Sequence, residues 1–432
     1  MAQFFKPAER KKAPQKQFNL ALHDLDLKGQ GVGRWQQRMV FVAGGLPGDT
    51  VRVTADIPAK GPIHAALQEV LTPSDERDTP LCSHYQVCGG CQLQHLKAQR
   101  QIEYKQIALE RLLKKRQINV SQWAAPVLSE QQIAYRTKAR LAVDCRKQVK
   151  LGFRNAENNR ILNISECIVL APELQALIAP IKSLLGSLNE AAKVGHVDVQ
   201  LSQGNVGIWL HRTTPWSKAD KKTLDAWLEA HQVTWLAEET SLSYPLNEFG
   251  LTLNYLKNDF VQSNLAVNAK MVQQAIEWLE LTGEEHVLDL FCGIGNFSLP
   301  LAQHSRTVIG VEGVTDMVCR AIENAEMNGV ENVKFAQADL SKPLNQQAWW
   351  RPVDVILMDP ARAGAEQVVT QLPKTKANKV LYVSCNPATL VRDAAILMSH
   401  GYEAVKAGVL DMFPQTHHLE SMILFSKVTS KK

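Results

Sequence analysis

Between residues 18 and 72, short apolar–polar runs (Phe18–Asp24, Arg38–Val42, Val51–Ile57, Ala65–Leu71) alternate with glycine-rich segments at 29–34 and 44–49. Alternation with a period of two predicts strands, and short strands at this close spacing, with one glycine-rich segment counted among them to make five, predict a small β-barrel. Residues 93–117, rich in Lys, Arg, Gln and Leu, predict a helix. Strand-like runs return over Tyr135–Cys145, Lys150–Phe153 and Arg160–Ile164, and 172–255 continues as mixed α/β. From residue 260 the pattern becomes strand–helix repeats. His286–Phe291, Thr307–Glu312, Val333–Ala336, Val353–Met358, Lys379–Ser384 and Ser421–Phe425 read as strands, with helices at Asn264–Leu281 and Thr315–Met327. Such alternation predicts a doubly wound parallel sheet. The chain then divides into a basic disordered arm (1–16), a barrel (17–74), a central α+β region (75–259) and an α/β unit (260–432). The helix over 93–117 is free to pack on that last unit.

Composition adds little to this division but excludes some classes. No 18-residue apolar run is present, which argues against a transmembrane helix. Met1–Pro7 lacks the apolar core of a signal peptide, so a cytoplasmic protein is expected. A net charge of +5 permits a nucleic-acid partner. Basic side chains are dense from Arg136 to Arg160, and Lys138 and Arg140 alternate onto one strand face. That face fits a solvated sheet or a phosphate-binding surface equally well. No obligate protein partner is evident, and a monomer is expected.

The eight cysteines do change the picture. Cys82, Cys88 and Cys91 fall within ten residues, around Gly89-Gly90, and form a metal-binding knuckle. Cys167 is the candidate fourth ligand. Four thiolates suit tetrahedral zinc or an iron–sulfur cluster, and spacing alone does not choose. His84 and His95 are nearby alternatives.

Chemistry concentrates in the α/β unit. The apolar run at Val380–Val383 ends in Ser384-Cys385-Asn386, and Pro387 suits the first turn of a helix. Cys385 therefore sits where a strand hands over to a helix, on the ligand edge of an open sheet, and is a candidate nucleophile. Asp289–Phe297 is a strand, a Gly-x-Gly turn and a helix start, where a ligand can approach the backbone. Glu312 ends the next strand and can take ribose hydroxyls. Asp339 follows the third strand and can accept from an adenine amine. Asp359-Pro360 ends the fourth, at the substrate-facing position; Ala361 and Arg362 follow it, a pattern unlike that of an amine methylase.

Two resemblances rest on these residues. Val42–Val51 followed by Pro73-Ser74 resembles the TRAM domain, an OB-like RNA-binding barrel. The ordered set Asp289–Asn296, Glu312 and Asp339 resembles a class I S-adenosylmethionine-dependent methyltransferase; a Rossmann dehydrogenase would carry a longer glycine loop. With Phe260–Asn264, Asp359-Pro360, Ser384–Pro387 and His418–Glu420 added, the whole chain is similar to the RNA 5-methyluridine methyltransferase family. That resemblance implies S-adenosyl-L-methionine held by Gln262, Phe291, Asn296, Glu312, Asp339 and Asp359. It also implies Cys385 as nucleophile, Glu420 as base, and a [4Fe–4S] cluster on Cys82, Cys88, Cys91 and Cys167. The barrel and cysteines together point within the family to a 23S rRNA uridine as substrate. Cys145, Cys292 and Cys319 match no ligand role and are expected to pack. The rivals are the same chemistry on tRNA or another rRNA uridine, a cytosine C5-methyltransferase (which usually carries Pro-Cys), and a non-catalytic RNA-binding module.

Overall fold

A computed structural model describes residues 15–428. Strands β1 (Gln15–Leu25), β2 (Gln30–Trp35), β3 (Arg38–Ala43), β4 (Thr50–Asp56) and β5 (Ile63–Thr72) close into a barrel in the order β1-β2-β3-β5-β4. Val40, Val42, Val51, Val53 and Ile63 fill it and are fully buried, each contributing about 1.5–3 kcal/mol. The glycine-rich segment at 29–34 is itself a strand, β2. A Cβ on Gly31 would meet the Gly45 carbonyl oxygen at 2.7 Å, and one on Gly33 would meet that of Ala21 at 2.7 Å. Glycine is required there because backbone passes too close for a side chain. Most of the basic arm lies outside the described residues, but Gln15 and Lys16 already pair with Asp56 and Ala55 in β1.

Helix Ala98–Lys115 and strand β6 (Val120–Trp123) follow. The central region forms a five-stranded sheet in the order β11-β10-β9-β7-β8. Its strands are β7 (Lys138–Asp144), β8 (Lys150–Gly152), β9 (Val194–Ser202), β10 (Asn205–Arg212) and β11 (Thr234–Trp235). Helices Ile178–Ser187 and Lys218–His231 pack on one face, around Val197, Val199, Ile208 and Leu210. The strand expected over Arg160–Ile164 does not form. This stretch makes single bonds to Phe153 and Leu151 (2.8 and 3.0 Å) and one isolated bridge. At Gly152 the Leu162 carbonyl oxygen comes within 2.3 Å of where a Cβ would sit, so only glycine fits there.

The C-terminal sheet has eight strands in the order β16-β15-β14-β17-β18-β20-β19-β6. A hairpin of β12 (Leu242–Leu246) and β13 (Leu251–Tyr255) packs beside it, against Ile294 and Leu299. The sheet itself uses β14 (His286–Leu290), β15 (Thr307–Glu312), β16 (Val333–Gln337), β17 (Val355–Met358), β18 (Lys379–Ser384), β19 (Tyr402–Leu410) and β20 (Glu420–Lys427). The first five of these run parallel. The doubly wound parallel core expected from the sequence forms, and an antiparallel pair extends it. No helix separates β19 from β20, so they return as an antiparallel pair, and β20 runs against β18. Strand β6 adds parallel to β19 at the edge. Ile102, Leu109 and Leu113 of helix Ala98–Lys115 are buried in the same core as Tyr382, Leu390 and Phe425. Residues from 98 to 123 therefore complete the C-terminal unit rather than the central one. Among the described residues no helix is long and apolar enough to cross a membrane.

Candidate active site

Reversal of β20 is what assembles the site. In a parallel sheet only strand ends reach the ligand edge. Because β20 is antiparallel, its beginning reaches that edge instead. Ser421 pairs with Ser384, so Glu420 and Cys385 leave neighbouring strands side by side. Asp359 follows β17, the other neighbour of β18.

The turn that presents Cys385 is tightly held. Asn386 caps helix Pro387–Ser399, its side chain accepting from Ala388 N at 3.1 Å. Its own amide donates to Arg362 O at 2.8 Å, and Ser384 Oγ accepts from Asn386 N at 3.1 Å. The thiol thus lies one residue before a helix N-terminus, whose dipole favours a thiolate. In the ligand-free protein burial pushes its pKa up, the Glu420 and Asp359 carboxyls push it further, and Arg362 opposes them. The resting thiol is protonated.

Glu420 is 2% exposed. Burial, and then the neighbouring Asp359, raise its pKa well above the usual range. Burial likewise pushes Asp359 up to about 7. Asp289, buried behind them, also rises to about 7, first through burial and then through Asp359 and Glu312. Ser298 Oγ donates to its Oδ2 at 2.5 Å, while its Oδ1 has no partner. Crowded, partly protonated carboxyls that repel one another fit a cationic ligand, and the sulfonium of S-adenosylmethionine is one.

Of the other expected cofactor residues, Phe291, Glu312 and Asp339 end or follow strands of the same sheet. Phe291 follows β14 at φ +64°, an uncommon conformation for a bulky residue. Glu312 ends β15 and accepts from Gly293 N (3.2 Å), Gly313 N (2.7 Å) and Val314 N (3.1 Å). Asp339 is exposed beyond β16, and hydrogen bonds from the Ser341 side chain and backbone lower its pKa. Gln262 is half-buried just before helix Leu265–Leu279. Asn296 is differently engaged: its amide exchanges bonds with Asn268 at 2.9 and 3.0 Å and accepts from Tyr244 Oη at 2.9 Å. His417 and His418, the alternative bases, are kept neutral by burial, His418 with its pKa lowered to about 4.

Asp289 and Arg362 belong to the site electrostatically but received no role from sequence. For Arg362 the signal was its place three residues after Asp359; for Asp289, its place two residues before Phe291. Of the basic face, Lys138 donates to the carbonyls of Lys257 (2.9 Å) and Asp259 (3.1 Å) and so ties segments together. Arg140, whose side chain is 57% exposed, forks onto Asp198 at 2.7 and 2.9 Å.

Cys82, Cys88, Cys91 and Cys167 line one cavity of about 250 Å³ together with Arg136, Arg140 and Thr416, and none is in a disulfide. The donor set fits a metal centre, but it is not pre-assembled. Among the described residues, no three His, Cys, Asp or Glu side chains group closely enough to hold an ion as they stand. Burial, with the neighbouring thiols, pushes Cys91 up to about 11 and Cys167 to about 12, so these groups stand as neutral thiols. A bound cation would deprotonate them and draw them together. Of the remaining cysteines, Cys292 is buried and Cys145 half-buried, but Cys319 is exposed and does not pack as expected.

Residues 237–428 match the tRNA (Uracil-5-)-methyltransferase family. The 23S rRNA (uracil(1939)-C(5))-methyltransferase RlmD of Aeromonas hydrophila is 42% identical over 99% of this chain and 100% of its own length. The chain belongs to the RlmD family of RNA uracil-C5 methyltransferases. The same-named protein of Vibrio cholerae is 41% identical over 99% of this chain and 100% of its own. In fold, the chain is similar to the crystal structure of the Pyrococcus abyssi tRNA (uracil-54, C5)-methyltransferase in complex with S-adenosyl-L-homocysteine. That likeness covers 94% of this chain and 99% of the other, with a TM-score of 0.73 and 22% identity. Family and fold together make the eight-stranded unit a class I methyltransferase domain, preceded by an OB-like barrel.

Proposed function

We propose that the chain methylates C5 of uridine 1939 of 23S rRNA, the position for which its relatives are named, through a covalent Cys385 adduct. The observation that carries this reading is the convergence of Cys385, Asp359 and Glu420 on one sheet edge. A uracil C5 is a poor nucleophile. Once the Cys385 thiol has lost its proton to solvent, the thiolate bonding to C6 turns C5 into an enolate-like carbon, which can take a methyl group. S-adenosylmethionine, when bound, supplies that methyl as an electrophile. The C5 proton then passes to Glu420, which acts in its ionised form, and the electron pair it leaves restores the C5–C6 double bond and expels the thiolate. The helix N-terminus and Arg362 favour the thiolate before attack and after expulsion. The target base reaches Cys385 only when flipped out of the RNA. Gln262, Phe291, Asn296, Glu312, Asp339 and Asp359 line the cofactor side in this reading. The barrel and Arg140 contribute to the RNA side. Incubating 23S rRNA and tRNA transcripts with methyl-labelled cofactor, then mapping the label, tests the assignment. Label at another uridine, or in tRNA alone, contradicts it.

The carboxyl cluster gives the cofactor site a pH signature. Folded-state values raised to about 7 mean that the ligand-free protein loses stability as pH rises from about 4 towards 7. A cationic ligand favours the ionised carboxylates. Affinity for S-adenosylmethionine is therefore expected to rise severalfold between pH 6 and 8. Affinity for the uncharged thioether S-adenosylhomocysteine should rise less. Calorimetric titration of both ligands checks this, and parallel profiles would remove the sulfonium argument.

Cys82, Cys88, Cys91 and Cys167 would hold a [4Fe–4S] cluster, which would pin the knuckle to the central region by closing a long loop. Anaerobically purified protein should then contain iron and sulfide, and Cys167→Ser should lose both. Stoichiometric zinc without iron would assign the site to zinc instead.

A further inference from the structure

The segment Phe413–His418 leads straight into Glu420, yet residues from the other end of the chain hold it. Gln92 N and Leu93 N both donate to Gln415 O at 3.0 Å. Gln92 Oε1 accepts from His417 N at 3.3 Å and lies 2.9 Å from His417 Nδ1. Gln101 Nε2 donates to Gln415 Oε1 at 3.0 Å, and Gln415 N donates back to Gln101 Oε1 at 2.9 Å. Tyr135 Oη donates to Pro414 O at 3.0 Å, and Lys105 Nζ to Phe413 O at 3.3 Å. Gln101 and Lys105 are 1% and 6% exposed. Gln415 sits at φ +68°, a conformation that a non-glycine residue keeps only when its surroundings over-determine it.

Gln92 directly follows Cys91, and Thr416 lines the same cavity as the four cysteines. Knuckle and base-bearing loop thus share a wall. Gln92 grips the loop at two points, through its backbone at Gln415 and through its side-chain oxygen at His417. With that oxygen facing the ring, His417 carries its proton on Nδ1.

We infer that Gln92 is a positioning residue for Glu420, so that the cysteine knuckle sets where the base stands relative to Cys385. This rests on the reading of Glu420 as the base. Removing the side-chain oxygen frees His417 and lets the stretch before Glu420 move. Attack by Cys385 does not need that stretch, but proton removal from C5 does.

The test uses the full chain in three versions: wild type, Gln92→Ala and Gln92→Glu, which keeps an acceptor oxygen. In Gln92→Ala, kcat is expected to fall by about tenfold or more, with S-adenosylmethionine affinity unchanged. The denaturant-resistant protein–RNA adduct should rise above the wild-type level. Amide hydrogen exchange over 413–419 should quicken, which reads the loop without reference to turnover. Gln92→Glu keeps the acceptor but loses the donation of Gln92 Nε2 to Gly89 O at 2.8 Å, and should recover part of both effects. His417→Ala removes the ring contact while keeping the backbone one, and should reproduce the first variant in the same direction but to a smaller extent; it carries the test if Gln92→Ala does not fold. Unchanged exchange in a folded variant overturns the inference, and so does a loss of activity without added adduct. If Glu420→Gln turns over normally, the base assignment falls instead, and the exchange result still shows whether Gln92 holds the loop.

Discussion

Cys385→Ala is expected to abolish methylation, by at least ~10⁴-fold, while the protein still folds and binds S-adenosylmethionine. The side chain is only half-buried and its turn is held by Ser384, Asn386 and Arg362, not by the sulfur. Removing the thiol therefore leaves the turn intact and takes away the atom that bonds to C6. No covalent RNA adduct should form, even with a 5-fluorouridine substrate. Denaturing gels and calorimetry on the same preparation check both halves. Residual methylation near the wild-type rate would mean that C5 is activated in some other way.

Glu420→Gln is expected to give the opposite result on the same gel. Turnover should fall by about 10²–10⁴-fold, but attack and methyl transfer should proceed. The trapped species is a methylated, denaturant-resistant adduct, because nothing removes the C5 proton. The amide is nearly isosteric with the protonated carboxyl that burial and Asp359 already favour, so stability should hardly change at neutral pH. Normal turnover would move the base elsewhere, to His417 or His418. Their lowered pKa values suit a neutral base, but His417 is already engaged by Gln92.

Some of this site was legible because its signals are local. Cys385 sits between an apolar strand and an Asn-Pro helix start, and Asp359-Pro360 ends another apolar run. Glu420 was nominated by resemblance alone, since its partnership with Cys385 exists only through the reversal of β20. Tyr402–Leu410 drew no strand assignment: Glu403, Lys406 and Gly408 interrupt its apolar positions, and only pairing on both sides makes it β19. Strand β6 and helix Ala98–Lys115 join the catalytic sheet across some three hundred residues, and no local pattern encodes such a contact. The glycines of 29–34 read as a break between strand-like runs, whereas the barrel uses Gly31 and Gly33 within a strand for close approach. Cysteine spacing nominated the knuckle, and the need for a fourth ligand nominated Cys167; the fold does bring all four to one cavity. What draws them into a centre depends on a ligand and lies beyond residue pattern. Gln92, Gln101 and Gln415 were invisible because a glutamine carries no signature of its partner.

The most direct measurement of the covalent account uses a 23S rRNA fragment carrying 5-fluorouridine at position 1939, incubated with the wild-type chain and S-adenosylmethionine. Fluorine cannot leave C5 as a cation, so the reaction stops after methyl transfer. Digestion and mass spectrometry of the cross-link should show a single peptide containing Cys385, joined to a nucleotide that bears both fluorine and the new methyl group. A cross-link at another cysteine, or full consumption of cofactor with no cross-link at all, would contradict the account.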